Sequence, residues 1–348
     1  MSCTGGGGGG GGTVLTTVTE PVYQGTYQGA AAIGELAVFT VNGTELSYRV
    51  WGTVLGEVSG TLKLEPWMSG GGFFWKNDAE GVYLGVFKNV GVAYVDDYDI
   101  TVVGLKEPSD PAQFDYTKTY ALIKVYKDDA GNWHRELVFL SFDAANKTAK
   151  VEYQDGTVQN FSYQENATLK TVDLIDAATG EVVAHLMHKL TEKGTELITV
   201  DFVGGKGFAI GRETTEVTLD PNQQYKVYYY GESLTLPDDR WWGTAVVYNE
   251  NGTWFAAWTG RYTWNGQVFP YLGKAVIHFN YMCQFNETTG EYELIQSPGL
   301  TCGCSYDEQT GQENRAACDY GIVDPENQFF LSMGENLEDG KYLEIGGW

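Results

Sequence analysis

From residue 36 onward the chain alternates apolar and polar residues in short runs, and Gly, Asn, Asp and Pro break each run. Residues 36–41, 45–51 and 60–64 read as strands by this period of two and by their β-branched and aromatic content. Asn42-Gly43 is a hairpin signal between the first pair. Residues 81–87 and 90–95 continue the pattern up to the Pro-rich stretch 107–112, which reads as a boundary. The same grammar resumes at 120–126, 137–142, 150–153, 158–163, 171–175, 182–188 and 196–202. After Asp220-Pro221-Asn222 come further strand patterns at 225–230, 244–248, 254–258, 275–281 and 291–295. Turn signals about ten residues apart, with no convincing helical period, predict an all-β fold of antiparallel sandwich, barrel or propeller-like units. The expected organisation is a tether over 1–22 and β domains over 23–107, 113–216 and 224–348.

Composition agrees with strands: of 348 residues, 23 are Tyr, 10 Trp and 45 Gly. A formal net charge of −24 would repel phosphate backbones, and no stripe of Lys and Arg offsets it, so nucleic acid is not an expected partner. No apolar run is long enough to span a membrane as a helix.

The start of the chain is different. Met1-Ser2-Cys3-Thr4 leads into eight glycines, Gly5 to Gly12, a run that offers no side chain to bury and behaves as a flexible spacer. A cysteine after a small residue and before a Gly-rich spacer resembles the mature start of bacterial and archaeal lipoproteins. The resemblance implies lipidation of Cys3, after removal of an apolar signal segment, and membrane attachment through the acyl chains. In a two-membrane cell Thr4, which is not the inner-membrane retention aspartate of that family, implies the outer face of the cell envelope. A second resemblance rests on Gly71-Gly72-Phe73-Phe74, Asn77, Ala79-Glu80 and Gly85-Val86-Phe87. These residues are similar to a stretch in the β-barrels of transferrin-binding surface lipoproteins, from which Trp75-Lys76 departs.

Cys283, Cys302, Cys304 and Cys318 all lie in the last quarter of the chain. In an oxidising location they are expected to form two disulfides, with Cys302 and Cys304 each paired to one of the others because a three-residue ring is strained. A four-thiolate zinc site is the alternative. Sequons at Asn42, Asn146, Asn160, Asn166, Asn251 and Asn286 suit an exported glycoprotein, although turn chemistry alone also selects Asn, Gly and Thr.

Candidate binding residues concentrate in one stretch: Trp241, Trp242, Trp254, Trp258, Tyr262 and Trp264, beside Asp238, Asp239 and Arg240. Aromatic faces with polar neighbours stack on sugars, and they equally fill a β core or a subunit interface. By strand parity Trp254 and Trp258 share a face, while Trp241 and Trp242 point opposite ways. The acidic pairs Asp128-Asp129 and Asp238-Asp239 and the cluster 96–99 read as solvated turns, with carboxylates for glycoside cleavage or calcium as the alternative. No nucleophile elbow, zincin motif, P-loop or dinucleotide fingerprint occurs, and no cofactor or metal is expected. The sequence therefore predicts a non-catalytic surface lipoprotein for binding, adhesion or assembly, with a homo-oligomer or another surface molecule as partner. A glycan-binding or glycan-hydrolysing protein is the alternative.

Overall fold

The computed structural model describes residues 25–42, 47–61, 63–64, 73–77, 82–95, 100–205, 207–233, 240–264, 267–326, 328–336 and 340–347. Cys3, Asp238, Asp239 and the cluster 96–99 lie outside them, as do the side chains of Asn42 and Trp264. The fold is all-β, as the sequence predicts, and of the three architectures left open it is the barrel that forms.

Numbered in chain order, strands β1 to β25 make one open sheet and two closed barrels. In the nine-stranded sheet β1 (Gly25–Ala31) lies beside β9 (Ile100–Lys106), with the order running out to β4 (Gly56–Thr61) on one edge and β5 (Lys63–Leu64) on the other. The first barrel holds the eight strands from β10 (Thr119–Lys127) to β17 (Gly207–Glu213), and β17 closes antiparallel on β10 from Tyr120↔Glu213 to Tyr126↔Gly207. The second runs from β18 (Tyr225–Ser233) to β25 (Gly340–Gly347), closed by Tyr228↔Gly347 through Ser233↔Tyr342.

Simple alternation fails where the units meet. Strands β10, β16 (Glu196–Phe202) and β17 are buried on both faces. Their inward residues Tyr120, Leu122, Ile198, Val200 and Ala209 fill the first barrel. Their outward residues Ile123, Val125, Leu197, Phe208 and Ile210 join Val103 and Leu105 of the sheet and Ile322, Phe329 and Leu331 of the second barrel in one continuous core. Each such aliphatic or aromatic side chain contributes about 1.5–3 kcal/mol on burial, so the joint between units is itself a hydrophobic core. Polar contacts fix its orientation. Arg212 donates from Nη1 to Val323 O at 2.8 Å and from Nη2 to Thr215 Oγ1 at 2.6 Å, with Nε 3.7 Å from Asp324 Oδ2. Thr195 Oγ1 donates to Glu326 Oε2 at 2.5 Å, and Lys88 Nζ of the sheet reaches Glu326 O at 3.3 Å.

The Pro-rich boundary does more than connect. After a 3-10 turn at Pro111–Gln113, Phe114 and Tyr116 enter the end of the first barrel and pack with Tyr120, Phe142 and Tyr163. Beneath this plug the ring nitrogens of buried His188 face Glu196 Oε1 at 3.0 Å and Asp110 O at 2.9 Å. His188 thus bridges the Glu196 carboxyl and the backbone of the Pro-rich stretch. Tyr120 donates to Glu196 and, at 2.8 Å, to Asp115 O, and Lys118 pairs with Glu213. The hydrogen bonds from His188 and Tyr120 hold the Glu196 carboxyl below its ordinary range although burial, the largest influence on it, acts the other way.

Several sequons sit in carboxylate-capped turns or ladder pairs. Asn146 donates to Asp143 at 2.7 Å, Asn166 to Asp173 at 3.0 Å and Asn286 to Glu293 at 2.6 Å. Asn251 adopts φ 53° ahead of Gly252, and Asn160 pairs with Lys150 across strands. Asp128 is likewise a turn residue, holding Asn132 N at 2.8 Å and His134 Nε2 at 2.9 Å, and these bonds depress its carboxyl to about 2.

Candidate functional site: the interior of the second barrel

Strands β18, β19 (Arg240–Glu250) and β20 (Thr253–Trp264) carry the aromatic stretch, and their register sorts it. Trp241 is inward and 4% exposed; Trp242, one residue on, faces outward and packs on the core between units. Trp254, Trp258 and Tyr262 share the inward parity. Trp258 and Tyr262 pack with Tyr271 at ring-centroid distances of 6.1 and 6.2 Å, and Trp254 meets Phe279 at 5.5 Å. The structure thus draws Trp241, Trp258 and Tyr262 into one cluster with Tyr229 and Phe330 inside the barrel.

Glycine makes this arrangement possible. A Cβ on Gly231 would lie 2.2 Å from the Trp241 ring, one on Gly273 2.3 Å from Trp258, and one on Gly346 2.1 Å from Phe330. At Gly243 and Gly260 it would come within 2.7 and 2.6 Å of the Tyr229 hydroxyl. The rings therefore lie flat on bare backbone, and the centre of the barrel is left open. The hollow measures about 280 Å³ and is lined mainly by these rings, Val227, Ala245 and Ala275, with Asp319 and Glu344 as its acids and no basic residue among the described residues.

Thr301, Ser305 and Ser332 add hydroxyls to those of the tyrosines, and Glu344 is held in place. Glu344 accepts from Trp241 Nε1 at 2.8 Å. Burial pushes its carboxyl up to about 7, the Trp241 hydrogen bond opposes that, and the neighbouring charge of Asp319 adds to it. Tyr229 is 2% exposed and its hydroxyl has no hydrogen-bond partner; the same is true of the Trp258 indole nitrogen. Burial drives the Tyr229 hydroxyl well above its ordinary range, and Glu344 reinforces the shift.

The four cysteines lie on the outer side of this barrel and do not line the hollow as a set. They pair as Cys283–Cys302 and Cys304–Cys318, with the four sulfurs within 4.8 Å of one another. Cys302 and Cys304 sit two apart on β22 (Glu291–Asp307) and project from the same face, so each reaches a different neighbouring strand.

Glu344, Asp319, Tyr229 and the glycines under the rings are absent from the sequence-based candidates. Two signals could have found them: glycines inside aromatic-rich strands mark close approach of another group, and a lone acid between Leu343 and Ile345 shares the parity of Gly346.

The fold and site define an all-β protein with one open sheet and two barrels, the second hollow and aromatic. No protein-family model and no curated protein matches the sequence. Solved structures of transferrin binding protein B are similar to it at low identity. The isotype 1 protein from serogroup B Neisseria meningitidis is 11% identical over 90% of this chain and 65% of its own, with a TM-score of 0.26. A variant from Haemophilus parasuis Hp5 is 10% identical over 93% and 75%, with a TM-score of 0.22. Intact Ap-TbpB, with N and C lobes, is 9% identical over 90% and 66%, with a TM-score of 0.24. The chain thus spans just under two thirds of the first and third of these proteins. At such values the likeness assigns neither ligand nor partner.

Proposed function

We propose that this chain is a non-catalytic binding protein of the cell exterior, anchored through Cys3, whose second barrel receives a small organic ligand. The observation that carries the reading is the aromatic hollow itself, with the Glu344 carboxyl fixed in its wall by Trp241. The volume lies near the lower end of ligand pockets, about 300 Å³, which suits a compact ligand. Paired cysteines suit an oxidising compartment.

Native mass spectrometry of protein isolated from its own host is the test, with Ala256→Phe as the variant that fills the hollow. A stoichiometric small molecule on the wild type, lost in the variant, is expected. An identical bound mass in both would overturn the reading.

A second reading is favoured by exposed apolar side chains on two consecutive strands. Val268, Leu272, Tyr281 and Phe285 of β21 (Gln267–Asn286) and Ile295 of β22 stand at 36–72% exposure. Such a row suits a macromolecular partner or a second copy of the chain. Light scattering of wild type and Leu272→Glu would reveal self-association that the charge disrupts, and a monomeric wild type would remove the second-copy form.

A further inference from the structure

The charged side chains that line the hollow are of one sign. Among the described residues its lining includes the acids Glu344 and Asp319 and no lysine, arginine or histidine, so an anion entering it would meet no countercharge there. The faces of Trp241, Trp258, Tyr229 and Tyr271 surround the same space, and aromatic faces are negative at their centres. Glu344 is held in place: Trp241 Nε1 donates to it, and the Trp241 ring is fixed in turn over Gly231. A carboxyl so oriented, beside aromatic faces and with a second acid near it, is the chemistry that recognises a desolvated cation.

We propose that the second barrel binds an organic ammonium ion, its positive charge set against the Glu344 carboxylate and the surrounding aromatic faces. This rests on the reading of the hollow as a ligand site and names its ligand class. A quaternary or alkylated ammonium fits better than a metal ion, because the walls offer aromatic faces beside, among the described residues, only two carboxyl groups. The groups facing Glu344 are Trp241 of β19, Asp319 of β23 (Gln312–Asp324) and Tyr229 of β18, and neither tyrosine nor tryptophan is charged near neutrality. Cation binding requires the ionised carboxyl. Affinity should therefore weaken as pH falls below about 7, where Glu344 takes up a proton that binding must expel.

The experiment titrates the full chain with choline and with 3,3-dimethyl-1-butanol, its neutral carbon isostere, following tryptophan fluorescence at pH 8 and pH 6. Saturable choline binding, at least about tenfold tighter than the isostere at pH 8 and several-fold weaker at pH 6, is expected. Glu344→Gln, which can still accept from Trp241, should cost choline tenfold or more and leave the isostere unchanged. Equal affinity for the two probes in the wild type would overturn the cation assignment and leave the small-ligand reading standing. Failure of both probes to bind would overturn the cation assignment, while the host-isolated mass decides the small-ligand reading separately. Should Glu344→Gln not fold, the wild-type comparison of the two probes alone decides.

Discussion

Eight antiparallel strands close each barrel, first on last, yet the two interiors are filled differently. In the first, one end is packed solid by Phe114, Tyr120, Phe142 and Tyr163 over the hydrogen-bonded His188 and Glu196; every polar atom of His188 and the Tyr120 hydroxyl has a partner, while the buried Tyr163 hydroxyl has none. Its other end holds an apolar space of about 370 Å³, larger than the hollow of the second barrel, with Lys124 at the rim already 3.4 Å from Glu136 and over the ring of Tyr126. In the second, rings on glycine leave a smaller space whose wall carries an unpartnered hydroxyl and indole N–H. Volume therefore does not mark the site. The two spaces differ instead in charge: Glu344 and Asp319 line the second, Lys124 and Lys127 the first.

The largest effect is expected where the first barrel is most tightly bound. His188→Ala leaves the Glu196 carboxylate buried and short of a partner, and should destabilise the protein by about 3–5 kcal/mol in denaturant unfolding. Unfolding unchanged within about 1 kcal/mol would remove the His188 and Glu196 contact from the comparison.

Loss of one hydroxyl compares the two interiors directly. Tyr120→Phe takes a donor from Glu196 and Asp115 O and should cost about 1.5–3 kcal/mol. Tyr229→Phe removes a hydroxyl with no partner and should be neutral or stabilising by up to about 1 kcal/mol. Equal losses in the two variants would mean that the second interior is as satisfied as the first.

Between these lies a pH effect on the outer face of the first barrel. Burial pushes the Asp201 carboxyl up to about 6, with His185 opposing and Glu35 adding, against an ordinary value of 3.8. The folded chain then keeps a proton that the unfolded chain has released. Its contribution is present at low pH and is lost as pH rises from about 4 through about 6. Asp201→Asn should flatten that decline and raise stability at pH 8 by about 1–2 kcal/mol, read from urea curves at pH 5 and pH 8. The smallest expected effect is Trp258→Phe, whose indole N–H has no partner; thermal melts should shift by no more than a few degrees.

Much of this architecture could be read in the chain because strands announce themselves locally. The alternation at 120–126 and 137–142 lies within β10 and β11 (Trp133–Asp143), and the parity argument separates Trp241 from Trp242 as the structure does. Closure could not be read. Whether β10 meets β17 or stays a sheet edge depends on a pairing between residue 120 and residue 213, which no local pattern encodes. The site was legible only in its aromatic half, since rings concentrate in sequence. Glu344 sits far along the chain from Trp241 and becomes its partner only through the ladder that pairs Gly231 with both.

The plug of the first barrel also constrains the order in which the chain can reach its final form. Phe114 and Tyr116 precede β10, so they are made before any strand of the barrel they seal. Strand β10 then has only β11 to pair with until β17 has left the ribosome, and its second edge stays open for the whole interval. Closure over so long a loop is slow, and an open edge is a template for pairing with another chain. During synthesis the aromatic pair of the plug can cluster early with Tyr120 and Phe142, giving the first hairpin a local core before the ring of strands is complete.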